Sequence, residues 1–261
     1  VVLIIVVYKK RLLSFLALII IGVILFAVIA KVSIKVISEM LPVNNPEAIK
    51  TEPADRERGV HLFREITVKT GYPVERARVE IAGVPGRTFV HGQNVIFKPA
   101  KVLMPATEYQ VRVFIKTPDQ LRWNNYKFNF TTMDVQDKIW VAVDLNGLNT
   151  VTVYRGKMPL RTMLASGGRT GHETPLGIFY TRDRGHSFWS ARYGEGAYYW
   201  VRITGQYLFH SVPVDNRWRT KEEEHAKLGC PASHGCVRLN IIDAKWFYEN
   251  VPRGSMVIIH N

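Results

Sequence analysis

Apolar and polar positions follow three different rhythms along the chain. From Leu12 to Ala30 every residue is apolar apart from Ser14 and Gly22. At about 1.5 Å per residue such a helix reaches roughly 28 Å, close to the thickness of a bilayer core. Lys9, Lys10 and Arg11 precede this run, and Lys31 and Lys35 follow it. The run is long for a signal-peptide core, and no clear small-x-small cleavage site follows it. The pattern predicts an N-terminal transmembrane helix over residues 1–38 with its cytoplasmic end first, as an uncleaved single-pass anchor. Residues 39–50 are polar and proline-bearing and read as a linker.

The second rhythm is alternation. Ile66–Lys69, Ala77–Ile81, Val95–Lys98, Tyr109–Ile115 and Tyr126–Phe130 place apolar residues at every other position. Period two means half-buried strands, and several such strands in about 80 residues predict a β-sandwich over 51–133. The third region, 138–261, is also mostly β. Ile139–Leu145 and Thr150–Tyr154 read as a hairpin across Asn146-Gly147. Leu160–Ser166, Tyr198–Ile203, Tyr207–Phe209 and Met256–Ile259 read as further strands. Asp183–Tyr199, rich in glycine and aromatics without a clean period, reads as a long loop over a cleft. Asp243–Asn250 has helical spacing of Ala244, Phe247 and Tyr248. Glu222-Glu223-Glu224 reads as a solvated helix face.

Composition narrows the partners. The net charge is +13, so a polyanion is expected nearby: nucleic acid, anionic lipid or anionic wall polymers. Neither a basic recognition helix, nor zinc-finger spacing, nor an aromatic nucleic-acid motif is present, which argues against nucleic acid. Only two cysteines occur, Cys230 and Cys236, too few for a disulfide-stapled scaffold. His61 and His91 stand alone, without the clustered partners that a metal site needs.

The chemistry concentrates in Phe209-His210-Ser211 and in Ala232-Ser233-His234-Gly235-Cys236-Val237-Arg238-Leu239. A thiolate is a strong nucleophile, but a free cysteine is mostly protonated at neutral pH and needs a base, usually histidine, whose ring is itself held. His210 and His234 are both at hand. Gly235 permits backbone conformations that a β-carbon forbids, and backbone amides in so tight a loop are placed to meet a developing oxyanion. A zinc set drawn from Cys230, His234, Cys236 and His225 or His210 fits no familiar spacing, so neither metal nor cofactor is expected.

Ser233-His234-Gly235-Cys236-Val237-Arg238, with His210 and Thr174-Pro175-Leu176-Gly177 upstream, resembles the signature of the L,D-transpeptidases, the YkuD-type catalytic domain. Gly185-His186-Ser187-Phe188, Tyr193-Gly194-Glu195-Gly196 and Leu228-Gly229-Cys230-Pro231 are similar to members from Gram-positive bacteria. The resemblance implies that Cys236 is the nucleophile, His210 its base, and the Ser211 carbonyl the group that orients the His210 ring. It implies that Ser233, His234 and Gly235 shape the nucleophile and oxyanion loop and that Arg238 positions the donor stem. His186, Phe188, Trp189 and Tyr193 would form the lid over the substrate. Arg238 stands where some members carry asparagine. The implied partners are peptidoglycan stem peptides, outside the cell and joined 3→3 through a cysteine thioester, with a carbapenem expected to acylate Cys236. The middle segment resembles bacterial immunoglobulin-like domains through Glu52-Pro53-Ala54-Asp55, Phe97-Lys98-Pro99-Ala100, Pro105-Ala106-Thr107-Glu108-Tyr109 and Phe128-Asn129-Phe130-Thr131-Thr132. It is expected to serve as a spacer or wall-docking module.

Overall fold

The computed structural model describes residues 20–26, 29, 31, 49–118 and 123–261. Most of the expected anchor, Leu12–Ala30, lies outside them. Residues 20–26, 29 and 31 are helical, and Ile20, Ile21, Val23, Ile24, Leu25 and Phe26 expose their side chains. Among the described residues no helix is long and apolar enough to cross a membrane.

Eight strands follow: β1 (Lys50–Glu52), β2 (Glu57–Val60), β3 (Ile66–Lys69), β4 (Arg76–Ile81), β5 (Gly86–His91), β6 (Asn94–Pro99), β7 (Glu108–Lys116) and β8 (Asn124–Thr132). They form two four-stranded sheets, ordered β1-β3-β6-β5 and β2-β8-β7-β4. The alternation in the sequence becomes the inner faces of these sheets. Ile66, Val68, Val95 and Phe97 from one meet Val111, Val113, Ile115, Phe128 and Phe130 from the other in a single buried cluster. Strands β1, β2 and β5 were not anticipated. They are edge strands with mostly exposed residues, so they carry little periodic signal.

The rest of the chain builds one nine-stranded sheet. Its strands are β9 (Ile139–Asp144), β10 (Thr150–Arg155), β11 (Met158–Ser166), β12 (Gly177–Tyr180), β13 (Arg184–Ser190), β14 (Glu195–Thr204), β15 (Tyr207–Ser211), β16 (Val237–Leu239) and β17 (Met256–His260). The order is β12-β17-β9-β10-β11-β16-β15-β14-β13. The helix Ile241–Asn250 packs on it through Ala244 and Phe247, with Asn240 capping its first turn by accepting the Asp243 amide at 2.8 Å. The expected loop Asp183–Tyr199 is instead the hairpin β13–β14 and its turn. Glycines break its period because cross-strand rings occupy their side-chain space: a Cβ on Gly185 would meet the Trp200 indole at 2.5 Å.

β9 and β17 are buried on both faces, which is why they read as unbroken apolar runs. Val141, Val143, Val257 and Ile259 point into the main core. Trp140, Ala142, Met256 and Ile258 point the other way, into a second cluster completed by Leu62, Val102 and Val135, with Phe63, Met104 and Met133 against it. This apolar joint couples the sandwich to the large sheet. Phe63 stacks on His260 at 4.8 Å, and Lys157 Nζ donates to the Ala106 carbonyl at 3.0 Å. Leu62→Ala is therefore expected to cost about 2–5 kcal/mol, seen as a lower midpoint in urea denaturation followed by tryptophan fluorescence.

Candidate active site

Two of the pairings in the large sheet are parallel, and one of them assembles the site. β15 and β16 run side by side with Phe209 opposite Val237, His210 opposite Arg238 and Ser211 opposite Leu239. Cys236 immediately precedes β16, two positions before Arg238. Strand alternation therefore places it on the same face as Arg238, diagonal to His210. Both line a cavity of about 330 Å³ whose walls include Phe188, Trp189, Tyr193, Glu195, Ser233, His234 and Arg238.

The nucleophile loop is held from several sides. Ser233 is buried; its hydroxyl donates to the Cys236 carbonyl at 2.6 Å and accepts the Gly235 amide at 2.9 Å. The Gly167 carbonyl accepts the amides of Ala232 and Ser233, and the Arg169 amide donates to the Ser233 carbonyl. Thr174 in turn takes the Gly168 amide on its hydroxyl at 2.8 Å, so the Gly167–Gly168 turn and the Thr174-Pro175 segment form the bed on which the loop lies. Gly235 has φ +110°, and a Cβ there would sit 2.4 Å from the Tyr207 ring. Only glycine fits. Among the loop amides expected to meet an oxyanion, the Gly235 N–H is engaged by the Ser233 hydroxyl.

His210 is buried, and its Nδ1 lies 2.6 Å from the Ser211 carbonyl oxygen. A carbonyl only accepts, so Nδ1 carries the proton and Nε2 keeps its lone pair. Burial, helped by the Arg238 charge and opposed by the Ser211 bond, brings the imidazole down to about 4. Phe188 meets the same ring edge-on at 5.4 Å. The Cys236 thiol is pushed up by burial, against the Leu208 backbone N–H and the Arg238 charge, which both favour the thiolate. Its Sγ approaches the Gln206 carbonyl at 3.7 Å. The resting pair is thus a neutral thiol and a neutral imidazole rather than an ion pair.

His234 stands at the cavity mouth. Its Nε2 accepts from Arg169 Nη2 at 2.9 Å, and its ring stacks on Tyr193 at 4.4 Å, bringing the β13–β14 turn down onto the nucleophile loop. Burial first, then the charges of Arg169 and His172, keep His234 below histidine's ordinary value. Trp189 and Phe188 line the cavity as well, whereas His186 does not: two residues before Phe188 on β13, it packs edge-on against Tyr199 at 5.0 Å.

Arg238 lines the cavity and is held by two carboxylates. It is 5% exposed, with Nη1 2.5 Å from Glu224 Oε2 and Nη2 3.4 Å from Glu195 Oε1. Glu224 is accordingly no solvated residue, although Glu222 and Glu223 on the same short helix are exposed. Sequence reasoning missed Glu195 and Glu224 because their partner is distant along the chain and only the fold brings them together. It also missed Trp218, which adopts φ 60° and packs against Trp189 and Tyr198 beside the cavity. Cys230 is exposed and free.

Comparison with known proteins identifies the family of the nine-stranded region. Residues 138–259 match the family model YkuD, the L,D-transpeptidase catalytic domain. YciB of Bacillus subtilis (strain 168), which is named a putative L,D-transpeptidase, is 41% identical over 133 residues, covering 48% of this chain and 68% of that protein. L,D-transpeptidase 1 of Mycobacterium tuberculosis is 31% identical over 123 residues, 42% of this chain and 45% of its own length. Among solved structures, an L,D-transpeptidase from Mycobacterium smegmatis is 22% identical and covers 82% of this chain and 99% of that one, with a TM-score of 0.41. The family match over the nine-stranded sheet and the similarity to YciB together establish that this chain belongs to the YkuD-type L,D-transpeptidases.

Proposed function

We propose that the protein cross-links peptidoglycan stem peptides outside the cell by two acyl transfers through Cys236. The observation that carries this reading is the arrangement of His210: Nδ1 fixed on the Ser211 carbonyl, Nε2 left as a base, and Cys236 lining the same cavity. In the first step Sγ attacks the carbonyl carbon at the L-centre of the third stem residue, and its proton passes to His210 Nε2. The C–N bond to the terminal D-alanine breaks as the thioester forms, and the proton on Nε2 leaves with the departing amine. In the second step the side-chain amine of another stem's third residue attacks the thioester. His210 takes the amine proton and returns it to the sulfur as the new amide, the 3→3 link, is released.

Other parts of the chain suit this role. Tyr193, Trp189 and Phe188 cover the cavity and shield the thioester from water. The net charge of +13 fits an enzyme working among anionic wall polymers. The sandwich of β1–β8 would act as an immunoglobulin-like spacer, and the apolar stretch Leu12–Ala30 would hold the chain on the membrane. The extracellular unit then divides into the 51–133 and 138–261 domains.

Purified full-length protein in detergent, incubated with muropeptides carrying tetrapeptide stems, is expected to yield 3→3 dimers and free D-alanine by mass spectrometry, and Cys236→Ala none. Products carrying only exchanged D-amino acids would replace cross-linking by exchange. Meropenem is expected to add one drug mass to the peptide containing Cys236. No adduct there would count against a reactive thiol.

The protonation states set a pH dependence. His210 works as a base only when neutral, and with its value at about 4 it stays neutral across the neutral range. The acid limb of acylation is therefore expected near pH 4 rather than at histidine's ordinary 6.5. The same depression acts on stability. The contribution is fully present above the unfolded value of 6.5 and is lost as pH falls towards about 4. Thermal melts should decline through that window, and less so for His210→Gln.

Membrane fractionation of cells expressing the full chain should leave it in the membrane pellet after a carbonate wash. Deleting residues 12–30 should release it, and release without the deletion would remove the anchor from this reading.

A further inference from the structure

We infer that Glu195 and Glu224 are positioning residues that set, through Arg238, how strongly positive the site is around Cys236 and His210. The inference rests on the reading that these two residues are the reacting pair. A buried guanidinium needs compensation, and its partners here come from two separate elements. Glu195 opens β14 directly after the turn that carries Tyr193, and Glu224 sits on the short helix before the nucleophile loop. The second oxygen of each carboxylate is taken by a lysine. Lys221 Nζ lies 3.1 Å from Glu195 Oε2, and Lys227 Nζ lies 2.5 Å from Glu224 Oε1. These lysines are more exposed than Arg238, whose side chain is 6% exposed against 25% and 49% for Lys221 and Lys227. Water screens them, whereas the arginine acts at full strength.

The arrangement has a polarity. Arg238 lines the cavity on the side of Cys236, and both carboxylates hold its terminal nitrogens. Its Nε is buried without a hydrogen-bond partner in the protein. The thiolate forming on Cys236 is stabilised by that cation, and an imidazolium on His210 is opposed by it. More carboxylate charge on Arg238 weakens both effects, and less strengthens them. The other charged or titratable groups facing the pair are His234 on the nucleophile loop, with Arg169 and His172 behind it, and the two lysines. Replacing one glutamate by its amide also releases the lysine it holds, and Glu195 acts on His234 as well, so Glu224→Gln is the cleaner of the two variants.

The test follows the pH dependence of Cys236 alkylation by iodoacetamide in the full chain, with Cys230→Ser removing the other thiol. Glu224→Gln and Glu195→Gln keep the side-chain shape but remove one charge. Each is expected to lower the alkylation midpoint by about half a pH unit or more, which makes reaction at neutral pH about threefold faster. Glu224→Asp and Glu195→Asp should restore the original midpoint, and Arg238→Gln should raise it. A purely structural role would instead lower the melting temperature and leave the midpoint in place. Unchanged or raised midpoints in the glutamine variants, with normal melting, overturn the inference while leaving the reading of Cys236 intact. Because the glutamates lie on different elements, misfolding of one variant leaves the other to decide. A Cys236 that resists alkylation at every pH in the otherwise unaltered protein overturns both.

Discussion

The site depends on one backbone constraint, the parallel pairing of β15 with β16. Parallel strands cannot be joined by a tight turn, so the chain must travel out and back between Ser211 and Val237. That excursion carries the Trp218 turn, the helix with Glu224, and the loop that ends at Cys236. The register then decides the chemistry. With His210 opposite Arg238, the imidazole and the thiol share a face. A slip of one residue would turn Cys236 and Arg238 to the other side of the sheet.

Electrostatically the site is built from opposed demands. Burial alone would leave a thiol reluctant to ionise and an imidazole reluctant to accept a proton. Arg238 favours the thiolate while working against the imidazolium, so the two groups cannot both be helped by the same charge. The Ser211 carbonyl offsets this by stabilising a proton on Nδ1. The resulting neutral pair suits a reaction in which proton transfer accompanies attack. A standing thiolate, by contrast, is open to oxidation.

The sequence made some of this legible and hid the rest for physical reasons. Core strands such as β7, with Val111, Val113 and Ile115 inward, announce themselves by alternation. The hairpin β13–β14 did not, because Gly185 and Gly196 leave room for indole rings and so erase the period. The placement of Cys236 and His210 in one cavity was readable from their local motifs. The fate of the Gly235 amide was not, since it depends on the rotamer of Ser233. Glu195 and Glu224 look like ordinary surface charges until the sheet brings Arg238 between them.

The doubly buried strands β9 and β17 also bear on how the protein divides. Trp140, Ala142, Met256 and Ile258 are covered by Leu62, Val102 and Val135 from the first half of the chain. A catalytic half severed near residue 138 would present that apolar patch to water. Such a surface invites self-association. The two halves are therefore better regarded as one folding partnership than as beads on a string, with the sandwich serving as an apolar cover for the catalytic half.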